Sequence, residues 1–112
     1  GTREILKMFK KKISIALMID QRVSEGIKVN FFKKPALTTT IPAQFVKKFK
    51  CKIVPIYIER KNNIYYEITI NKPLKFNKND SIEKITQDLN LYLEKLILKN
   101  PSQWIWSHNR WK

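Results

Sequence analysis

Apolar positions in this chain fall into short clusters of different period, separated by stretches rich in lysine and asparagine. The most regular cluster is near the C-terminus, where Ile82, Ile85, Leu89, Tyr92, Leu93, Leu96 and Ile97 recur at three and four residues. That spacing places them on one face of an α-helix from about Ile82 to Lys99. Asp80 and Glu83 form D-x-x-E, a weaker relative of the capping box, at its expected start. Asn100-Pro101 ends it, because the residue before proline is pushed out of the α region. Two shorter helices are predicted. REILKMFKKK, with Thr2 as a cap, puts Ile5 and Phe9 on one face. IPAQFVKKFK, with Thr40 as a cap, aligns Ile41, Phe45 and Phe49 and tolerates Pro42 in its first turn.

The remaining clusters predict strands. ISIALMID is almost uninterruptedly apolar, as a strand covered on both faces of a parallel sheet reads. IKVNFF alternates and ends in two aromatics, whereas KKPALTTT reads as a loop. CKIVPIYIER is β-rich, with Pro55 expected at a strand end, bulge or edge for want of a backbone donor. Lys61, Asn62 and Asn63 turn the chain into IYYEITIN, giving an antiparallel hairpin closed by Pro73. A helix followed directly by a buried strand points to an α/β fold: a mixed β-sheet flanked by helices, with the long helix packed on it.

At 112 residues there is room for one domain and not for two complete ones. The clustered apolar content, 43%, excludes the low-hydrophobicity composition of a disordered chain. Lys plus Arg outnumber Asp plus Glu 23 to 9, a net charge of +14, so nucleic acid, anionic lipid or an acidic protein are all attracted. The single cysteine, Cys51, cannot form an internal disulfide, and no metal-ligand spacing is present. Ile13 to Ile19 is the longest apolar stretch, too short to span a bilayer as a helix. Because the sequence opens at Gly1 in a basic helical pattern, a fragment of a longer chain is expected.

Candidate chemistry lies in three places. Asp20, Gln21 and Arg22 close the expected buried strand, and open α/β sheets place functional groups at the carboxyl ends of strands; an ordinary solvated loop is the bland alternative. In the tail, Trp104, Trp106, His108, Arg110 and Trp111 interleave aromatic and polar groups, which permits cation stacking or anchoring at a bilayer surface. His108, with no neighbouring nucleophile, reads as a structural histidine, and Trp104 and Trp106 as mainly structural. The lysine-rich faces of KMFKKK and FVKKFKCK could bind phosphate, carboxylate or lipid head groups. A small basic RNA-binding module fits the charge and the interleaved aromatics, but a GxxG loop and an RNP1-like strand are absent.

The tail NPSQWIWSHNRWK resembles the C-terminal signature of the lipid A biosynthesis acyltransferases, approximately P-x-Q-W-x-W-x-H-x-R-W/F-K, at Pro101, Gln103, Trp104, Trp106, His108, Arg110, Trp111 and Lys112. GTREILKMFKKK, the run into Asp20-Gln21 with EGIKVNFF behind it, and KIVPIYIER follow the family's order. The resemblance covers nearly the whole chain but only the C-terminal half of the family. It therefore implies that residues 1–112 are the C-terminal portion of a single acyltransferase domain with a partial glycerolipid-acyltransferase-like fold.

The resemblance implies an acyltransferase that moves a fatty acyl group from an acyl carrier protein thioester, as co-substrate and without a cofactor, to a hydroxyl of a lipid A precursor or related glycolipid. It implies action at the cytoplasmic face of the bacterial inner membrane, with an anionic membrane surface as partner and no nucleic acid. The family's H-x4-D/E motif, whose His is the general base, has no counterpart here, since the only histidine is His108 and position 113 lies beyond the sequence. The base and the membrane anchor are then expected upstream, the chain is expected to be inactive alone, and no catalytic residue is assigned within it. The positions carried over as bordering the substrate cleft are Asp20, Gln21, Arg22, Glu25, Gly26, Phe31 and Phe32, with Arg3 as a further candidate. Arg3, Arg22 and Lys33 could stabilise a developing oxyanion. The family commonly has glycine where this chain has Lys33, and small residues around Ile41 that are missing here.

Overall fold

A computed structural model describes residues 2–104 and 109–111. In chain order the elements are α1 (Thr2–Lys10), β1 (Ile27–Phe31), β2 (Lys34–Thr38), α2 (Ile41–Phe49), β3 (Ile56–Lys61), β4 (Tyr65–Ile70) and α3 (Ile82–Lys99), then a 3-10 turn at Pro101–Gln103. The fold is α/β. Among the described residues the strands form two separate antiparallel hairpins, β1-β2 and β3-β4, and α3 packs against both β1 and α2.

The helical periodicity of α3 translates directly into its buried stripe, with Ile85, Leu89 and Ile97 in the core. Thr86 and Asn90 are buried on the same side. Its N-cap differs from expectation. Ser81, not Asp80, accepts the Lys84 N–H at 3.0 Å, and Asp80 instead accepts from the Asn77 N–H. In α2 the cap position is Thr40 as expected, but Thr40 makes no side-chain bond to the helix backbone. The preceding Thr39 hydroxyl takes the Ile41 N–H instead. Phe9 of α1 packs between Phe45 and Phe49 of α2, with ring centroids 5.1 and 4.8 Å away.

Two sequence expectations are corrected. Residues 13–19 form no strand: Ile13, Leu17 and Met18 are exposed, and only Ile15 and Ile19 are half-buried. A strand is stabilised by ladder partners, and none of the described residues pairs with this run. Conversely, the stretch read as a loop contains β2, paired from Ile27↔Thr38 to Phe31↔Lys34. Pro35 is tolerated because, among the described residues, no second strand pairs with β2. Pro55 does lie just before β3, where its carbonyl accepts the Asn71 N–H.

The two-residue loop of the first hairpin is Phe32-Lys33, both at positive φ (50° and 64°), the signature of a type I′ turn. Non-glycine residues occupy that region at a cost. The turn is held by α3, whose Glu94 carboxylate accepts the Phe32 N–H. Gln87 of α3 also accepts the Asn30 N–H and donates to the Asn30 carbonyl, both at 2.9 Å. Gln103 pairs in the same way with the backbone of Arg60, at 2.8 and 2.9 Å. Each amide stands in for a neighbouring strand and satisfies an exposed edge.

Candidate functional site

The segment from Asp20 to Gly26 is irregular backbone and gains its position from β2. The Val23 N–H donates to the Leu37 carbonyl at 3.4 Å, and a tight turn closes with Gly26 N–H to the Val23 carbonyl at 2.9 Å. At Gly26 a Cβ atom would stand 2.2 Å from the Thr38 carbonyl oxygen. The glycine is thus required for close packing of the loop on β2, not for an unusual φ. An open hollow of about 420 Å³ results between this loop and the N-terminal end of α2, lined by Val23, Glu25, Thr39, Thr40, Ile41 and Gln44. Gln44 donates through its amide to the Thr40 hydroxyl at 2.7 Å. The first turn of α2 carries no acidic residue, but the Glu25 carboxylate lines the same hollow, the Ile41 N–H is taken by the Thr39 hydroxyl, and Pro42 has no N–H to offer.

Behind the loop lies a buried cation. Arg110 is fully buried, donates to the Leu37 carbonyl at 2.7 Å and the Thr38 hydroxyl at 2.9 Å, and stands over the Phe31 ring at 5.2 Å. Burial draws its guanidinium below the ordinary value, and the carboxylate of Asp20 opposes that shift. An arginine remains charged under these conditions, and the charge of Asp20 favours that state. The Thr38 hydroxyl, which donates to the Ala36 carbonyl, also accepts from Asn90 of α3 at 3.1 Å. Loop, hairpin, helix and tail therefore converge on Leu37-Thr38.

Among the sequence-predicted positions, Asp20, Glu25 and Gly26 share this region. Glu25 is the one that lines the hollow; Asp20 bears on Arg110 through its charge. Gln21 and Arg22 are exposed on the same loop, with Arg22 donating to the Ser24 hydroxyl at 3.4 Å. Phe31 is not among the residues that line this hollow. It is fully buried, stacked on Trp111 at 5.5 Å and edge-on to Trp104 at 5.6 Å, and so supports the wall from behind. Phe32 is half-buried beside it. Arg3 is exposed on α1 and Lys33 on the hairpin turn. Trp106, His108 and Lys112 lie outside the described residues.

Thr38 and Asn90 carry much of the connectivity and were not singled out by sequence. The readable signal was Thr86 and Asn90, i and i+4 on the apolar stripe of α3, where polar residues stay buried only if they find partners. Among the described residues, Asn90 Oδ1 and Arg110 Nε are buried and unpaired.

Compared with known families, the sequence matches that of the bacterial lipid A biosynthesis acyltransferases over residues 1–112, its whole length. No curated protein matches it.

Proposed function

The chain belongs to the bacterial lipid A biosynthesis acyltransferase family, and on that premise we propose that it forms the acceptor-binding wall of an acyl-transfer site, moving a fatty acyl group from an acyl carrier protein to a hydroxyl of a lipid A precursor. In such a transfer the acceptor oxygen attacks the thioester carbonyl. The carbon–sulfur bond breaks, and the acceptor proton must pass to a base while the departing thiolate gains one. No His stands five residues before an acidic residue in this sequence, so proton abstraction is not assigned to it. We propose that the base belongs to a part of the enzyme outside residues 1–112, and that the chain alone carries out no transfer.

The observation that carries the reading is the hollow beside Glu25. Its Thr39 and Thr40 hydroxyls, the Gln44 amide and the Glu25 carboxylate offer donors and acceptors suited to a sugar. The net charge of +14 draws both a phosphorylated glycolipid and an acidic carrier protein by the same field. We propose that it works at an anionic membrane surface, at the cytoplasmic face of the inner membrane. Among the described residues no helix is long and apolar enough to cross a membrane.

Equilibrium dialysis of the chain against a phosphorylated lipid A precursor tests this. Saturable binding is expected, weakened about tenfold by Glu25→Gln together with Thr40→Val, as expected for one or two lost hydrogen bonds. Binding that neither substitution alters refutes the reading.

A further inference from the structure

The β3-β4 hairpin has two unlike faces. Its inner face carries Tyr57, Glu59 and Lys61 opposite Thr69, Glu67 and Tyr65. This face meets the end of α3, where Asn100 donates to Glu59 at 3.1 Å and the Lys99 ammonium lies 5.7 Å from the Tyr57 ring centroid. The register puts Ile56 opposite Ile70, Ile58 opposite Ile68 and Arg60 opposite Tyr66 on the other face. All four isoleucines and Tyr66 are more than half exposed. Alternation places both carboxylates of the hairpin, Glu59 and Glu67, on the inner face. The outer face is therefore aliphatic, aromatic and cationic, with no acid.

We propose that this outer face rests on the surface of an anionic phospholipid bilayer. The inference deepens the membrane-side reading above by naming the surface that makes contact. Single exposed apolar residues are ordinary, but two cross-strand isoleucine pairs with a tyrosine form a contiguous patch. Charge decides the occupant. A second copy would bring two molecules of +14 together against their mutual repulsion, whereas an anionic bilayer attracts that charge. Arg60 and Tyr66, at one end of the patch, are residue types suited to the headgroup level while aliphatic side chains enter the acyl boundary. Lys52 and Lys72, exposed just before β3 and just after β4, supply cations at the other end. A two-stranded hairpin has open edges and cannot enter hydrocarbon edge-first, so it lies flat.

The test is co-sedimentation of the whole chain with phosphatidylcholine vesicles, with and without phosphatidylglycerol, containing neither precursor nor thioester. Its failure is thus distinct from failure of the acceptor site. So basic a chain binds anionic vesicles by charge alone, so the decisive comparison is made at about 0.5 M salt, where that attraction is screened. Ile58→Thr with Ile68→Thr, which keeps β-branching, is expected to weaken residual binding about tenfold; Ile56→Thr with Ile70→Thr should do the same. Far-UV circular dichroism checks that each variant folds. Equal binding by folded variants overturns the proposal. So does sedimentation showing a dimer that these substitutions dissociate while vesicle binding is unchanged.

Discussion

The guanidinium of Arg110 lies 5.2 Å from the centre of the Phe31 ring, a buried cation on a buried aromatic in the same cluster as Trp104 and Trp111. The contact joins the tail to the first hairpin. Two hydrogen bonds to Leu37 and Thr38 fix the planar fork, a geometry that lysine cannot reproduce. Arg110→Lys is expected to lower the free energy of unfolding by about 1–3 kcal/mol, read from urea denaturation followed by circular dichroism. An unchanged midpoint would show that the tail is not anchored there.

Gly26 meets the Thr38 backbone so closely that a methyl group has no room. Gly26→Ala should destabilise the fold by about 2 kcal/mol or more, because backbone rather than a flexible side chain must give way. The same denaturation measurement checks it.

At the hairpin turn the reverse holds. Lys33 is exposed at a φ of 64°, where glycine carries no steric cost. Lys33→Gly should therefore stabilise the protein by about 1 kcal/mol, seen as a raised melting temperature.

The hydrogen bond from Asn100 holds the Glu59 carboxyl below its ordinary value, helped by Lys61. A carboxyl whose folded-state value is depressed contributes stability that is present above its unfolded value. That contribution is lost as pH falls through the folded one. Melting temperature should accordingly fall below about pH 4.5, and Glu59→Gln should lessen that acid sensitivity. An identical pH profile in the variant would remove Glu59 as a source.

What could be read from sequence tracks how local each determinant is. The stripe of α3 and the Asn62-Asn63 turn are set by residues a few positions apart, and both were legible. The apolar run at 13–19 says that it favours burial but not which strand would pair with it, and in the structure none of the described residues does. β2 was hidden because Pro35 and the threonines look like loop residues, and the Phe32-Lys33 turn lacks the Asn-Gly signal of its type. The stretch at 21–26 was legible as a loop. Its attachment to Arg110 through Leu37 and Thr38 joins residues more than seventy positions apart, and no local pattern encodes that.

The most direct test is amide chemical-shift mapping of the chain during titration with a phosphorylated lipid A precursor. The account predicts saturable shifts concentrated at residues 21–26 and 39–44, around the hollow beside Glu25. Non-saturating shifts spread over the exposed lysines, with the Val23, Gly26 and Gln44 amides unmoved, would contradict it.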